Sequence, residues 1–192
     1  MTTMTIWYIA RGAGLAALVL LTVATGLGAL MTGRGRSSTR IVWNYMHRVT
    51  TGVGLTALAL HLGAILADSY AHVGWVASLV PFTSAFRPNW VGLGTVAVYI
   101  FLLVGALGFA RGRIAASAAG ARAWRWLHGL GYLGWGMAMV HGLQSGTDSG
   151  QSWVKLLYVA CGAAVAVAVT ARVARERLPD LVRYPVQAQV TR

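Results

Sequence analysis

Long apolar runs separated by arginine clusters set the pattern of this chain. Five runs stand out, at 12–31, 41–67, 90–110, 124–145 and 153–174. A helix needs about 18 or more such residues to cross the hydrocarbon core of a bilayer. No segment of barrel length alternates with period two, so transmembrane strands are not expected. The pattern predicts an all-α integral membrane protein, a five-transmembrane-helix bundle. Glycines inside the runs fit this, because membrane helices use them for close backbone approach. The first run reads as a retained helix and not a signal peptide, since its basic cluster follows the apolar stretch and no cleavage site stands out.

The longest connection, 68–89, contains Trp75, Pro81, Phe82 and Pro88, and predicts a short interfacial helix or a re-entrant turn. The tail, 175–192, is too short to fold alone. Residues 1–192 therefore read as a single transmembrane domain with no room for a soluble catalytic domain. No internal repeat at a fixed period stands out.

Composition sharpens the picture. The chain is 57% hydrophobic and 10% charged, against about 25% charged in soluble domains, so its surface has to face lipid. Of the 16 basic residues, 13 fall on one side: Arg34, Arg36, Arg40 and Arg48; Arg111, Arg113, Arg122 and Arg125; and Arg172, Arg175, Arg177, Arg183 and Arg192. By the positive-inside rule the N-terminus is outside and the C-terminus cytoplasmic. The net charge of +12 is then a topology signal with some affinity for anionic lipid. The scatter of arginines over three flanking segments argues against nucleic acid as a partner. A single cysteine, Cys161, excludes thiolate metal clusters and covalent haem attachment, and reads as a core residue of the fifth helix. Richness in Ala, Gly and Arg points to a bacterial plasma (inner) membrane.

The histidines carry the functional argument. His47 and His61 lie 14 residues apart on the second helix, and His128 and His141 lie 13 apart on the fourth. Ionisable side chains inside membrane helices are rare and mark function. At 1.5 Å per residue these spacings cover about 21 Å and about 20 Å. The two helices run in the same direction, so His47 and His128 share a level near the cytoplasmic face, and His61 and His141 share one near the outer face. Haem b iron takes two axial imidazoles, and its broad apolar ring suits a bundle interior. The arrangement predicts a ladder of two bis-histidine b haems. Rotation fits the second helix, where 14 residues return to within about 40° of the same face. It fits the fourth less well, where 13 residues leave His141 about 140° from His128.

Two histidine pairs, spaced 14 and 13 on helices of the same direction, resemble the ferric reductase-like transmembrane domain. That superfamily includes NADPH oxidases, yeast-type ferric reductases and the haem subunit of the bacterial methionine sulfoxide reductase system. The resemblance covers 41–143. It implies axial roles for His47, His61, His128 and His141 and electron transfer across the membrane between two b haems. Unlike the oxidases and reductases, this sequence has no FAD- or NADPH-binding domain after its last helix. The donor is therefore expected to be a separate cytoplasmic flavoprotein or a quinol, and the acceptor a small extracytoplasmic molecule, such as a ferric chelate or oxygen, or, the favoured case, an extracytoplasmic partner protein. The chain would then be an electron-transfer subunit and not a self-contained enzyme.

Arg48 and Arg125, beside the cytoplasmic level, are candidates to pair with haem propionates or simple topological anchors. Gln144, Ser145 and Lys155 are weaker candidates at the outer level. Trp43, Trp90, Trp124, Trp126 and Trp153 read as interfacial belt residues, Asp68 and Asp148 as outer-surface charges, and His72 as a loop histidine or a contact for the acceptor. Two other readings stay open. One is a quinone-coupled di-haem cytochrome of the b561 type or a respiratory haem anchor subunit. The other is a haem-free scaffold or transporter in which the histidines relay protons or pack helices.

Overall fold

The computed structural model describes residues 3–31, 37–68 and 73–187. His72, Arg34, Arg36 and Arg192 lie outside these residues, and Arg183 falls in a stretch of which only the backbone is described. The described residues form helices and loops and no strand: α1 (Thr3–Leu30), α2 (Ser37–Ala67), α3 (Trp75–Leu79), α4 (Pro88–Phe109), α5 (Arg111–Ile114), α6 (Ala118–Ser145) and α7 (Ser152–Gln187). A bilayer permits this solution because a helix satisfies its own backbone polar groups.

The predicted helices are found with longer ends. α1 starts nine residues earlier than expected, α6 six residues earlier, and α7 continues through most of the predicted tail to Gln187. The predicted short helix in the 68–89 connection is α3. Four helices, α1, α2, α4 and α7, are long and apolar enough to cross a membrane. α6 matches them in length, at 28 residues, but its arginines, histidines and tryptophans leave it less apolar.

Local sequence explains the helix ends. Ser117 caps α6 by accepting a hydrogen bond from the Gly120 amide at 3.1 Å, a preferred way to satisfy an orphan N–H. Pro88 opens α4, where its missing N–H costs nothing. Before it, Phe82 takes a positive φ of 67° and lies on Gly92, where a Cβ would come 2.6 Å from the Phe82 amide nitrogen. Glycine at 92 lets the connection fold back over the start of α4.

α1 and α2 form one antiparallel hairpin, and α4 and α6 form another. α1 also packs against α7 and α6, whereas backbone approach between α2 and α6 is sparse at most. The buried face of α1 runs through Ala10, Ala13, Ala17, Leu21 and Ala24, small residues at helical spacing that let neighbouring backbones come close. α7 presents Val154, Tyr158, Cys161, Val165 and Ala168, a stripe of alternating four- and three-residue steps. The opposite side of α7 exposes Leu156, Val159 and Val167. Cys161 is a buried core residue, as expected.

The four helices α1, α2, α4 and α6 meet at mid-height. Leu21, Ala97 and Phe101 are buried there, against Leu55, Leu58 and Trp135. Trp135 Nε1 donates to Thr22 Oγ1 at 2.9 Å, and Thr22 Oγ1 donates to the Leu18 carbonyl at 2.7 Å, so this layer holds no unsatisfied indole. Phe101→Ala is expected to destabilise the detergent-solubilised protein by about 3–5 kcal/mol, read as a lowered thermal midpoint. Phe109→Ala, at a side chain 87% exposed, should leave that midpoint in place.

Candidate functional site

The four helix histidines sit above and below this mid-height layer. His47 and His128 face each other on α2 and α6 with ring centres 6.3 Å apart and ring planes at 69°. His61 and His141 line one cavity at the other level. The two levels expected from depth arithmetic are therefore present.

Three of the four rings are held from behind by the other helix of their own hairpin. His47 Nδ1 lies 2.9 Å from the Ala24 carbonyl and His61 Nδ1 lies 2.7 Å from the Ala10 carbonyl, both on α1. His141 Nδ1 lies 2.8 Å from the Trp90 carbonyl on α4. A carbonyl oxygen only accepts, so each Nδ1 carries the proton and donates. The coordinating lone pair then belongs to Nε2, the tautomer that a metal-bound histidine takes when a carbonyl orients it. His128 differs. Its Nδ1 is buried without a hydrogen bond, with the Val104 carbonyl near but outside hydrogen-bonding geometry. Its ring instead stacks on Trp124 at 4.6 Å. Trp124 is itself fixed by its Nε1 donating to the Leu107 carbonyl at 2.8 Å and by the Arg111 guanidinium 5.1 Å over its ring.

The 13-residue spacing on α6 accounts for this exception. α6 is continuous from Ala118 to Ser145, so neither a break nor a kink restores the face that the odd spacing loses. His141 takes the position equivalent to His61, and His128 is left turned away from its carbonyl. Trp124 is thus a packing partner of a site histidine and not simply a belt residue. Trp126 and Trp153 are exposed at 82% and 58%.

The cavity at the His61 and His141 level is open on one side and has a volume of about 210 Å³. Its walls are mostly aliphatic and aromatic, and its polar groups gather where the α6–α7 connection meets the start of α1. There Arg11 donates through Nε to Asp148 Oδ2 at 2.7 Å, and a second guanidinium nitrogen touches the same oxygen. Both residues line the cavity, so Asp148 is not the plain surface charge expected, and Arg11 is a cavity residue the sequence reading did not single out. Asp68, also expected at the surface, is only 6% exposed. Ser145 lines the cavity with its hydroxyl buried and without a hydrogen bond. Gln144 offers its backbone carbonyl to Arg87, while Lys155, Arg48 and Arg125 are exposed.

The chain matches no family model, no curated protein and no solved structure. The reading of the site therefore rests on its chemistry. Among the described residues, no three His, Cys, Asp or Glu side chains converge on one point, so a zinc or calcium site built wholly from protein ligands is not assembled. Two imidazoles per level suit a metal that arrives with its own equatorial ligands, as haem iron does. Imidazoles on opposite sides of one metal, each bonded at about 2 Å, bring their ring centres about 6 Å apart. His47 and His128 have that separation, and the cavity at the other level has the apolar lining that suits a porphyrin. The residues present fit the group.

The Arg11–Asp148 pair ties the start of α1 to the α6–α7 connection across the mouth of the cavity. Its two side chains are 28% and 22% exposed. A double-mutant cycle with Arg11→Gln and Asp148→Asn should give a coupling of about 1 kcal/mol, measured by thermal unfolding in detergent.

Proposed function

We propose that this chain is a five-crossing membrane protein that carries electrons through the bilayer on two b haems, one held by His47 and His128 and the other by His61 and His141. The observation that carries the reading is the common tautomer of His47, His61 and His141, each with Nδ1 committed to a helix carbonyl and Nε2 left to coordinate. The 6.3 Å approach of His47 and His128 and the apolar cavity at His61 and His141 support it. Haem iron held by two imidazoles cycles between ferric and ferrous and so passes single electrons.

In this reading α6 is the fifth crossing, with one flank against α1 and α4. Its polar residues are tolerable because its histidines face the interior and its arginines lie near its start, within reach of the interface. The clustered arginines place the His47 and His128 level on the cytoplasmic side and the His61 and His141 level outside.

The protein's part is to orient imidazoles, exclude water and neutralise anionic groups. Arg48 and Arg125, beside the cytoplasmic level, are the candidate cations for propionates. The mid-height layer around Leu21, Phe101 and Trp135 keeps the two levels apart and dry. In this reading the donor is a cytoplasmic flavoprotein or a membrane quinol, and the acceptor lies on the extracytoplasmic side.

The purified protein should give a low-spin b-type spectrum with two haems per chain by pyridine haemochrome. His47→Ala and His128→Ala should each remove one spectral component, and His61→Ala and His141→Ala the other. A colourless preparation from haem-replete cells, or spectra unmoved by these replacements, would sink the proposal.

A further inference from the structure

The carbonyls that stand behind the four histidines, three of them proton acceptors, share a sequence relation. Ala10 and Ala24 each stand four residues before a glycine, Gly14 and Gly28. Trp90 and Val104 stand four residues before Gly94 and Gly108. Each of these glycines lies against the corresponding histidine. A Cβ built on Gly94 would come 2.6 Å from His141 Nδ1, on Gly14 2.9 Å from His61 Nδ1, on Gly28 3.3 Å from the His47 ring and on Gly108 3.5 Å from the His128 ring.

Helix geometry gives the reason. A side chain leans toward the helix N-terminus and lies over the turn before it. Residue i+4 therefore covers the carbonyl of residue i, and glycine there uncovers it. The bared oxygen, already bonded along its own helix, has a second lone pair to receive an imidazole N–H.

The device also reveals a repeat that no fixed period in the sequence made visible. Ala10, Gly14, Ala24 and Gly28 recur as Trp90, Gly94, Val104 and Gly108, each 80 positions on, and His61 recurs as His141. Leu21 and Leu55 of the mid-height layer recur as Phe101 and Trp135 at the same interval. His47 recurs as His128 at 81 positions, which is the slip that separates His128 from its carbonyl.

From this pattern we infer that Gly14, Gly28 and Gly94 are positioning residues, each opening a helix carbonyl that sets the tautomer and aim of one site histidine, and that Gly108 marks the fourth such cradle, from which the one-residue slip has freed His128. The inference deepens the haem reading and rests on it for the role of Nε2. The cradles themselves are a property of the protein alone.

Single alanine substitutions at the four glycines test it, with Gly12→Ala and Gly52→Ala as controls, since a Cβ at either control position would meet nothing within 4 Å. Two readouts are needed: haem affinity resolved by the low-spin electron paramagnetic resonance signal of each level, and the histidine tautomers in haem-free protein by ¹⁵N resonance. Gly94→Ala should weaken haem at the His61 and His141 level by about 10–100-fold, the usual loss on removing a ligand's orienting partner, and should shift His141 away from the Nδ1–H tautomer. The effect should decline in the order Gly94, Gly14, Gly28, Gly108, with the other level and the controls as in wild type. A flat series, or an equal response from Gly12→Ala, would overturn the inference. Should wild type bind no haem, the electron-transfer proposal fails while the tautomer series still decides this one.

Discussion

The structure turns on a hydrogen bond from an imidazole N–H to a helix carbonyl that is already engaged along its own helix. In hydrocarbon no water is present to take that proton, and an unsatisfied polar group costs several kcal/mol. For three of the site histidines the acceptor is a backbone carbonyl of the neighbouring helix. Reaching one requires the helices to be close and the covering side chain to be absent. Tight packing of α2 on α1 and of α6 on α4 meets the first condition, and the glycines meet the second. The same pull that draws α2 and α6 against their own hairpin partners keeps them from closing on each other. The space between the histidine pairs is thus a consequence of where the protons go.

Much of this could be read in the sequence. The apolar runs gave the long helices, and the histidine spacings gave two levels, because both depend on distances along a single element. The carbonyl acceptors could not be read the same way. A backbone acceptor carries no residue identity, and its availability depends on a missing side chain four residues later on a different helix. One signal was present and passed over: Gly14 and Gly28, like Gly94 and Gly108, are 14 apart, the same interval as His47 and His61. Helix ends were misplaced for a related reason. The first turns of α1 and α6 are polar enough to fall outside an apolar window, yet nothing in them breaks a helix. Arg11 was set aside as one of the few basic residues on the sparsely charged side, and only the fold brings Asp148 to it across 137 positions.

α6 shows how composition and environment trade against each other. Its interior flank holds His128, Trp135 and His141, while Trp126, Leu127 and Leu133 are exposed at 82%, 44% and 54%. A window average over such a helix mixes a polar working face with an apolar outer face, so it falls short of the value that α1 or α4 reaches. Hydropathy measures contact with lipid, and a helix that spends one side on polar chemistry has less apolar surface to show. In the proposed five-crossing arrangement, the shortfall of α6 is the cost of its polar interior flank.

The one-residue slip between the hairpins shows which parts of the arrangement are under tight constraint. If both histidines of α6 had to match their counterparts on α2, a spacing of 13 would be incompatible with a continuous helix. The helix does stay continuous, so one of the two levels has to absorb about 100° of rotation. The rotation falls at His128, near the start of α6, where Trp124 one turn earlier supplies a flat surface in place of the carbonyl. Stacking fixes the plane of a ring but leaves its Nδ1 proton unassigned, whereas a hydrogen bond fixes both. His128 is therefore the one site histidine held by shape and not by tautomer. Arg111 over the Trp124 ring and the Leu107 carbonyl at its indole nitrogen become its indirect supports. The repeat conserves the position of the imidazole more strictly than the means by which it is held.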